Sequence, residues 1–267
     1  FAVRLFNQGF IYGEDGNKMS KSAGNTADPL ETISKYSTDS LRLFLISNAS
    51  PESDFNWNDK GVDSANKFLI KLYDKLINIK ISKSSKRVES KINKTIKEVS
   101  EDVENFKHNL ALIKLRVLFD FLEDNEISKK DLESFLKMLH IYCPHITEEL
   151  WAKIGNKPFI SLAEWPVADE KKIDMNLEKQ EQQVSQLAED INNIIKIVEG
   201  KGEKITKGYV YVIPNEKSVY ENGKELIERK TNIKIEVFAV NDKNKYDPEN
   251  KAGRTKPGKP AIYLEQK

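Results

Sequence analysis

The chain has 267 residues, of which 39% are hydrophobic and 32% are charged, and its 43 Lys and Arg residues against 42 Asp and Glu residues give a net charge of +1. This length predicts two or three domains, and the balanced charge means that only local patches are informative about a nucleic-acid partner. The single cysteine, Cys143, excludes an intrachain disulfide and fits a reducing cytoplasm. No apolar run is long enough for a transmembrane helix. Because the sequence opens on Phe1 without a signal-peptide pattern, it is interpreted as a fragment that begins inside a domain.

The first informative stretch is a polar loop that follows a short β-prone segment, residues 10–13. Asp15 and Gly16 predict a tight hairpin turn, since this pair accepts positive φ angles. The loop after the turn can offer ammonium groups, hydroxyls and backbone N–H groups to a polyphosphate. A solvated loop without function is the alternative for any isolated string of this kind. The loop residues are Lys18, Met19, Ser20, Lys21 and Ser22.

A helical pattern runs from Asp28 to about residue 160, and its apolar stripes predict a bundle with short loops. Asp28 and Pro29 predict the start of the first helix, and Ser128 predicts the start of a later one. Trp151 and Trp165 are interpreted as core anchors. The densest apolar stripe contains Leu110, Ile113, Leu115, Val117, Leu118, Phe121 and Leu122.

Three potential metal ligands, His140, Cys143 and His145, lie close together near the end of this pattern. Structural zinc usually needs four ligands in paired spacing, and the sequence has no matching second pair. Pro144 also interrupts the helix between the three. We therefore predict no metal site and interpret Cys143 as a small buried apolar residue.

The pattern changes after residue 166. Residues 177–198 form an amphipathic helical stripe, and residues 219–227 predict a further helix. Residues 209–213, 233–240 and 261–264 are predicted to be strands. These elements predict a small α+β domain.

A basic, glycine- and proline-rich segment precedes the last of these strands. It is either a solvated loop or a segment that contacts the phosphate backbone of a nucleic acid, as Lys and Arg on such segments do. Its basic residues are Lys243, Lys245, Lys251, Arg254, Lys256 and Lys259.

Residues 16–25, which include the loop from Lys18 to Ser22, resemble the KMSKS signature of class I aminoacyl-tRNA synthetases. Residues 36–42 are similar to the helix that follows this signature, and residues 54–62 resemble the leucyl branch of the family. Residues 144–151, with Ile160, Trp165 and Pro166 after them, are similar to the leucyl and valyl enzymes. Residues 253–262 resemble the C-terminal domain of archaeal-type leucyl-tRNA synthetases.

The sequence departs from the family pattern at three positions. Ser37 and Thr38 replace the usual Gly-Ala pair, and Ala23 replaces a common lysine. None of the three is one of the signature lysines.

The resemblance implies a mainly α fold, with a class I synthetase helical anticodon-binding bundle followed by a small α+β C-terminal domain. Residues 1–26 would end the Rossmann-type catalytic domain and carry the KMSKS loop. Residues 27–166 would form the anticodon-binding domain, and residues 167–267 the tRNA-binding C-terminal domain.

The resemblance also implies ATP-dependent attachment of leucine to tRNA-Leu. Lys18 and Lys21 are the implied catalytic residues, with Lys21 the stronger candidate. Lys18, Met19, Ser20, Lys21 and Ser22 would bind ATP, with Met19 anchoring the loop by packing. The implied tRNA contacts are Lys251, Arg254, Lys256 and Lys259.

ATP, Mg²⁺ and leucine would bind through the missing catalytic domain. Neither the ATP site nor the Mg²⁺ site is therefore complete in this fragment. The fragment alone is expected not to catalyse aminoacylation. A cytoplasmic monomer without membrane contact is expected. The alternatives are a valyl- or isoleucyl-tRNA synthetase fragment, a stand-alone tRNA-binding module, or a helical scaffold without a nucleic-acid role.

Overall fold

The computed structural model describes residues 5–123, 125–200 and 202–266. The chain forms two compact units, of which the first ends at Asp174 and the second begins at Met175. The first is mainly helical and the second combines helices with a sheet, which confirms the predicted fold class. Within the described ranges, no helix is long and apolar enough to cross a membrane.

The first unit combines a helical bundle with one short pair of parallel strands. The strands are β1 (Ile11–Tyr12) and β2 (Phe55–Asn56). The helices are α1 (Pro29–Lys35), α2 (Thr38–Ser47), α3 (Asp59–Ile77), α4 (Lys86–Glu104), α5 (His108–Leu122), α6 (Lys129–His140) and α7 (Pro144–Lys153).

Two of these helices begin where the sequence predicts. The Asp28 carboxylate accepts a hydrogen bond from the N–H of Leu30 at 2.8 Å, and Ser128 Oγ accepts one from the N–H of Asp131 at 3.2 Å. Both caps satisfy N–H groups that have no partner inside the helix. The predictions of these two helix starts are therefore confirmed.

One continuous core fills the bundle, and not every apolar residue of the densest stripe belongs to it. Helix α5 buries Leu112, Leu115 and Leu118, whereas Ile113 and Val117 are 55% and 53% exposed. The apolar stripe is wider than the surface that the neighbouring helices cover. Leu110 lies with the exposed group.

The two tryptophans that were predicted to be core anchors differ in burial. Trp151 is 7% exposed and lies in the core, as predicted, but Trp165 is 36% exposed, so its prediction as a core anchor is wrong. The indole N–H of Trp165 instead donates to Ser100 Oγ at 2.8 Å on helix α4. A polar partner at the surface of α4 thus fixes this ring.

The segment after Trp165 stays on helix α4 as far as the end of the first unit. The N–H of Asp169 donates to Asn93 Oδ1 at 2.8 Å, and Lys172 Nζ lies 2.6 Å from a carboxylate oxygen of Glu89. The N–H of Asp174 donates to Ser90 Oγ. Residues 167–174, which the sequence reading places in the second domain, therefore contact the first unit.

Helix α2 holds the corner between α6 and α7 through one buried carboxylate. Asp39 is 4% exposed and accepts hydrogen bonds from the N–H of Ile146 and from Nδ1 of His145, each at 2.8 Å. The first turn of a helix leaves N–H groups unpaired and favours negative charge. Asp39 therefore caps α7 from another helix.

Arg42 binds the other side of the same corner. Its guanidinium donates from Nη2 to the carbonyl oxygen of Ile141 at 2.8 Å and from Nε to that of Tyr142 at 3.3 Å. These carbonyls follow the last turn of α6, where helical partners are missing. One turn of α2 thus satisfies the end of α6 and the start of α7.

The second unit packs three helices against one face of a three-stranded sheet. The central strand β3 pairs in parallel with β4 and antiparallel with β5. The elements are α8 (Met175–Glu199), β3 (Ile205–Val212), α9 (Lys217–Asn222), α10 (Lys224–Thr231), β4 (Lys234–Ala239) and β5 (Ala261–Gln266).

The helix predicted over residues 219–227 is two helices, which meet at Gly223. A Cβ atom at Gly223 would lie 2.6 Å from the side chain of Val184 on α8. The close approach of the two segments therefore requires glycine there.

Side chains alternate between the two faces of the sheet, so that each face carries its own apolar cluster. Val210 and Val212 of β3 pack with α8, α9 and α10, whereas Tyr209 and Tyr211 point to the opposite face. The opposite face is covered in part by the segment between β4 and β5, in which Ala252 is buried.

We predict that Asp39→Ala lowers the free energy of unfolding by about 1–3 kcal/mol, because it leaves the partly buried N–H of Ile146 without an acceptor. Asp39→Asn, which keeps one acceptor oxygen, should lose less. Urea unfolding measures both. The matched control is Asp63→Ala, which removes an exposed pair with Lys67 and should change stability little. Equal stability of Asp39→Ala and this control would contradict the capping role.

Candidate functional site

The loop predicted to bind phosphate begins at a turn that closes on strand β1. The N–H of Gly13 donates to the carbonyl of Asn17 at 2.8 Å, and Tyr12 and Lys18 form an antiparallel bridge. Gly16 has φ +74°, in the left-handed region that favours glycine. The predicted turn therefore presents the residues from Lys18 onward.

The loop itself folds into a compact turn through its serines. The Ser20 and Ser22 hydroxyl oxygens lie 3.2 Å apart, and Ser20 Oγ accepts a hydrogen bond from the N–H of Ala23 at 3.1 Å. The N–H of Gly24 donates to the carbonyl of Lys21, and Gly24 has φ +67°. This closed turn leaves Lys21 at its outer edge.

Asn25 ties the two ends of the loop together, a role that the sequence reading missed. Its side-chain oxygen accepts from the N–H of Ser20 at 2.9 Å, while its side-chain nitrogen donates to the carbonyl of Lys18 at 3.4 Å and to the Asp15 carboxylate at 3.3 Å. The amide therefore crosslinks the turn, the start of the signature and the end of the loop.

The two signature lysines have different surroundings. Lys18 Nζ lies 4.5 Å from the centre of the Phe10 ring, a cation–π distance, and the side chain is exposed. Lys21 is also exposed, and among the described residues it has no ion-pair or ring partner. The N–H groups of Lys21 and Ser22 donate to no acceptor within the described part of the chain. Lys21 and these N–H groups are thus available to an anion.

Met19 lies on the inner side of the loop. Its side chain is half-buried and packs against the core of the bundle. A flexible thioether suits such an irregular contact. The packing that was predicted for Met19 from the sequence is therefore present.

The base of the loop is held by the residues that resemble the leucyl branch. The Asp54 carboxylate accepts from the N–H of Phe10 at 2.7 Å and from the Tyr12 hydroxyl at 3.2 Å. The N–H of Trp57 donates to the carbonyl of Tyr12 at 2.8 Å, and the N–H of Asp59 donates to the Glu14 carboxylate. These contacts fix β1 against the start of α3.

A cavity of about 520 Å³ lies beside the loop, but its charge does not suit phosphate. Its lining carries more carboxylates than cations, so that it would repel a polyphosphate. The acidic lining residues are Glu14, Asp15, Asp28, Glu31 and Asp59, and the basic one is Lys35. The outer edge of the loop is the better phosphate surface.

A larger groove of about 750 Å³ lies between α2, α3 and α7 and is lined by Ile70, Tyr73, His145 and others. None of the residues predicted to bind ATP or tRNA lies in it. Its position makes it part of the bundle, away from the signature loop.

The three potential metal ligands each have other surroundings. His140 Nδ1 lies 2.8 Å from Thr147 Oγ1, and burial lowers the pKa of His140 below its usual value. His145 donates to Asp39. Cys143 is fully buried, as predicted, and burial raises the pKa of its thiol. Across the described residues, no three His, Cys, Asp or Glu side chains form a group that could hold a metal ion.

The predicted RNA contacts lie on the segment between β4 and β5 of the second unit. Arg254, Lys256 and Lys259 are exposed, and within the described residues they form no ion pair. Lys251 is half-buried, and its ammonium lies 3.1 Å from Glu249. Arg254, Lys256 and Lys259 are therefore free to contact phosphate, whereas Lys251 already has a carboxylate partner.

Comparison with protein families supports the assignment of the signature. Residues 85–207 match the anticodon-binding domain of tRNA ligase, and residues 3–58 match the class I tRNA synthetases for I, L, M and V. The leucine–tRNA ligase of Mesoplasma florum is 36% identical over 176 residues, which cover 65% of this chain and 22% of that protein. Together these matches support a leucyl-tRNA synthetase fragment.

Two further comparisons agree. The leucine–tRNA ligase of Petrotoga mobilis is 38% identical over 191 residues, covering 62% of this chain and 23% of that protein. The solved LeuRS–tRNA–LeuAMS ternary complex from Agrobacterium radiobacter K84 superposes with a TM-score of 0.58 and 25% identity, over 64% of this chain and 25% of that one.

These comparisons confirm the leucyl branch, and the valyl, isoleucyl and stand-alone RNA-binding alternatives are not favoured. The chain spans about a fifth of the length of the curated relatives that it matches. The roles of the loop residues and of Lys251, Arg254, Lys256 and Lys259 stay predictions, as does the archaeal-type character of residues 253–262.

We predict that Asn25→Ala loosens the signature loop. The N–H of Ser20 would lose its acceptor, so its hydrogen exchange should accelerate roughly 2- to 10-fold, as expected for one net hydrogen bond. Asn25→Asp keeps an acceptor oxygen and should accelerate exchange less. The control is Asn17→Ala, since the Asn17 side chain donates to Asp15 and does not reach the N–H of Ser20. Unchanged Ser20 exchange in Asn25→Ala would show that this amide does not order the loop.

Proposed function

We propose that this chain supplies the phosphate-binding loop and RNA-binding surfaces of an enzyme that attaches leucine to tRNA-Leu with ATP. The observation that carries the proposal is the loop from Lys18 to Ser22, anchored by Asn25 and Met19 and open at Lys21, in a chain whose matches support a leucyl-tRNA synthetase fragment. ATP and leucine would also need the larger part of the enzyme that lies outside this chain.

The reaction explains why the loop needs positive charge. In the first step the leucine carboxylate attacks the α-phosphorus of ATP and pyrophosphate leaves with the electrons of the broken P–O bond. In the second step a hydroxyl at the tRNA 3′ end attacks the leucyl carbonyl carbon and AMP leaves. Negative charge grows on the α-phosphate and on pyrophosphate in the first step, where fixed cations and N–H groups lower the barrier.

The geometry favours Lys21 as the main cation of the loop. Its ammonium is exposed, and the adjacent N–H groups of Lys21 and Ser22 can donate to phosphate oxygens. Lys18 would have to leave the face of Phe10, 4.5 Å away, or act from that position. Ser20 and Ser22 would shape the loop and offer hydroxyl donors, while Met19 would hold it on the bundle.

The remaining partners follow from the same proposal. Mg²⁺ would arrive with the ATP phosphates and neutralise part of their charge, and we assign no residue of this chain to it. Leucine would bind through the catalytic domain. We also propose a cytoplasmic enzyme that acts as a monomer, in keeping with its free, buried Cys143.

The second unit would bind tRNA through its basic segment. Arg254, Lys256 and Lys259 carry exposed positive charge, which contacts phosphates without reading bases. Lys251 belongs to the same proposal, but its pair with Glu249 predicts a smaller share. The long variable arm or the elbow of tRNA-Leu would be recognised by shape and backbone.

We predict that Lys21→Ala in the complete enzyme slows adenylate formation by about 10²–10³-fold, the scale of losing one electrostatic stabiliser of the transition state. Affinity for tRNA should change little, because the lysine acts mainly in the transition state. Leucine-dependent pyrophosphate exchange measures the first quantity, and tRNA titration measures the second.

The control for this experiment is Lys60→Ala, which removes an exposed lysine at the start of α3. It should leave pyrophosphate exchange unchanged. A wild-type rate in Lys21→Ala would remove the catalytic role of Lys21.

We predict that replacing Arg254 and Lys259 with alanine in the complete enzyme weakens tRNA binding and flattens its salt dependence. For every phosphate that is no longer neutralised, the log–log salt slope should fall by roughly 0.7–0.9. The control is Lys179→Ala with Lys196→Ala, two exposed lysines of α8, which should leave the slope unchanged. An unaltered slope in the first variant would make the basic segment a solvated loop.

A further inference from the structure

The second unit carries an aromatic cluster on the sheet face opposite to α8. Its centre is Tyr209, whose ring centroid lies 4.8 Å from Tyr246, 5.9 Å from Tyr263 and 6.4 Å from Phe238. These spacings are those of favourable aromatic pairs. The cluster is therefore one packed block of rings on three strands and the adjoining segment.

Exposure increases outward through this block. Tyr211 is fully buried and Tyr209 is 6% exposed, whereas Tyr246 is 46% exposed. Tyr246 thus forms the outer layer, with Tyr209 and Tyr263 behind it. The ring of Tyr246 is therefore open to a ligand while it also packs on the rings of Tyr209 and Tyr263.

The backbone on both sides of Tyr246 is held in place. The Tyr211 hydroxyl donates a hydrogen bond to the carbonyl of Tyr246. The Asp247 carboxylate accepts from the N–H groups of Lys251 at 2.7 Å and Ala252 at 3.0 Å. The ring is therefore presented in a fixed position, and a ligand would gain contact without having to order this backbone.

The net positive charge of the segment that carries Tyr246 favours an anionic ligand. Residues 241–260 contain six Lys and Arg residues and three Asp and Glu residues. The acidic side chains have partners in the fold: Asp242 lies 3.7 Å from Lys217, Glu249 pairs with Lys251, and Asp247 binds backbone N–H groups. Exposed cations on the same segment as an exposed aromatic ring are a pattern of single-stranded nucleic-acid binding.

We propose that Tyr246, supported by Tyr209 and Tyr263, is a stacking site for an unpaired base of the bound RNA. The inference rests on the proposed function, in which that RNA is the tRNA. The base would lie on the ring of Tyr246 while its phosphates meet the cations of the same segment. Stacking tolerates any base, so the site recognises an unstacked nucleotide and not a sequence.

The test compares Tyr246→Leu with Tyr246→Phe in the complete enzyme by tRNA titration at several salt concentrations. Tyr246→Leu keeps apolar packing but loses the ring, and its affinity should fall about 5- to 100-fold, the range for one stacked base. Its salt slope should stay that of the wild type, because no cation is removed. Tyr246→Phe should bind like the wild type.

A second measurement keeps the inference testable if Tyr246→Leu melts at a lower temperature. Irradiation of thiouridine-substituted tRNA bound to the unaltered enzyme should give adducts within residues 241–263. Adducts only in other segments, or wild-type affinity of a folded Tyr246→Leu enzyme, would overturn the inference. Pyrophosphate exchange and wild-type tRNA binding, measured alongside, report on the proposed function separately.

Discussion

The bundle depends on one turn of helix α2 that satisfies two helix ends at once. Asp39 accepts the N–H of Ile146 at the start of α7, and Arg42 donates to the carbonyls of Ile141 and Tyr142 after α6. Each interaction pairs a charged group with backbone atoms of the opposite partial charge, which is where helix ends bind ions most strongly. Because both residues lie on α2, this one helix fixes the corner between α6 and α7 from both sides.

The signature loop is also held by a few polar contacts at its two ends. Its base is fixed by backbone pairing between β1 and β2 and by the Asp54 carboxylate, and its far end is fixed by Asn25. Between these points Lys21 extends into solvent, and the N–H groups of Lys21 and Ser22 have no acceptor among the residues that the structure describes. The catalytic role proposed for this loop would need both properties, since the loop would have to reach the phosphates and yet return to one geometry.

Features of the fold that depend on neighbouring residues are predicted well from the sequence. The caps at Asp28 and Ser128, the turn at Gly16 and the three strands of the second unit depend on neighbouring residues, and the structure has them. Contacts that depend on how the chain folds back were not predictable: no sequence pattern shows that Asn25 reaches Ser20 and Lys18 within its own loop, or that Asp39 caps the distant helix α7. Trp165 was misread because its exposure depends on which helix surface it meets. The break at Gly223 was missed because it depends on Val184.

The contact between Gly61 and Phe44 makes a position on α3 part of the loop's support. A Cβ atom at Gly61 would lie 2.4 Å from the Phe44 ring, and that ring packs edge-on against Trp57 at 5.3 Å and Phe55 at 6.1 Å. Any side chain at residue 61 would displace these rings, and β2 carries the hydrogen bonds that hold β1. A substitution at this glycine would therefore disturb a loop that residue 61 never touches.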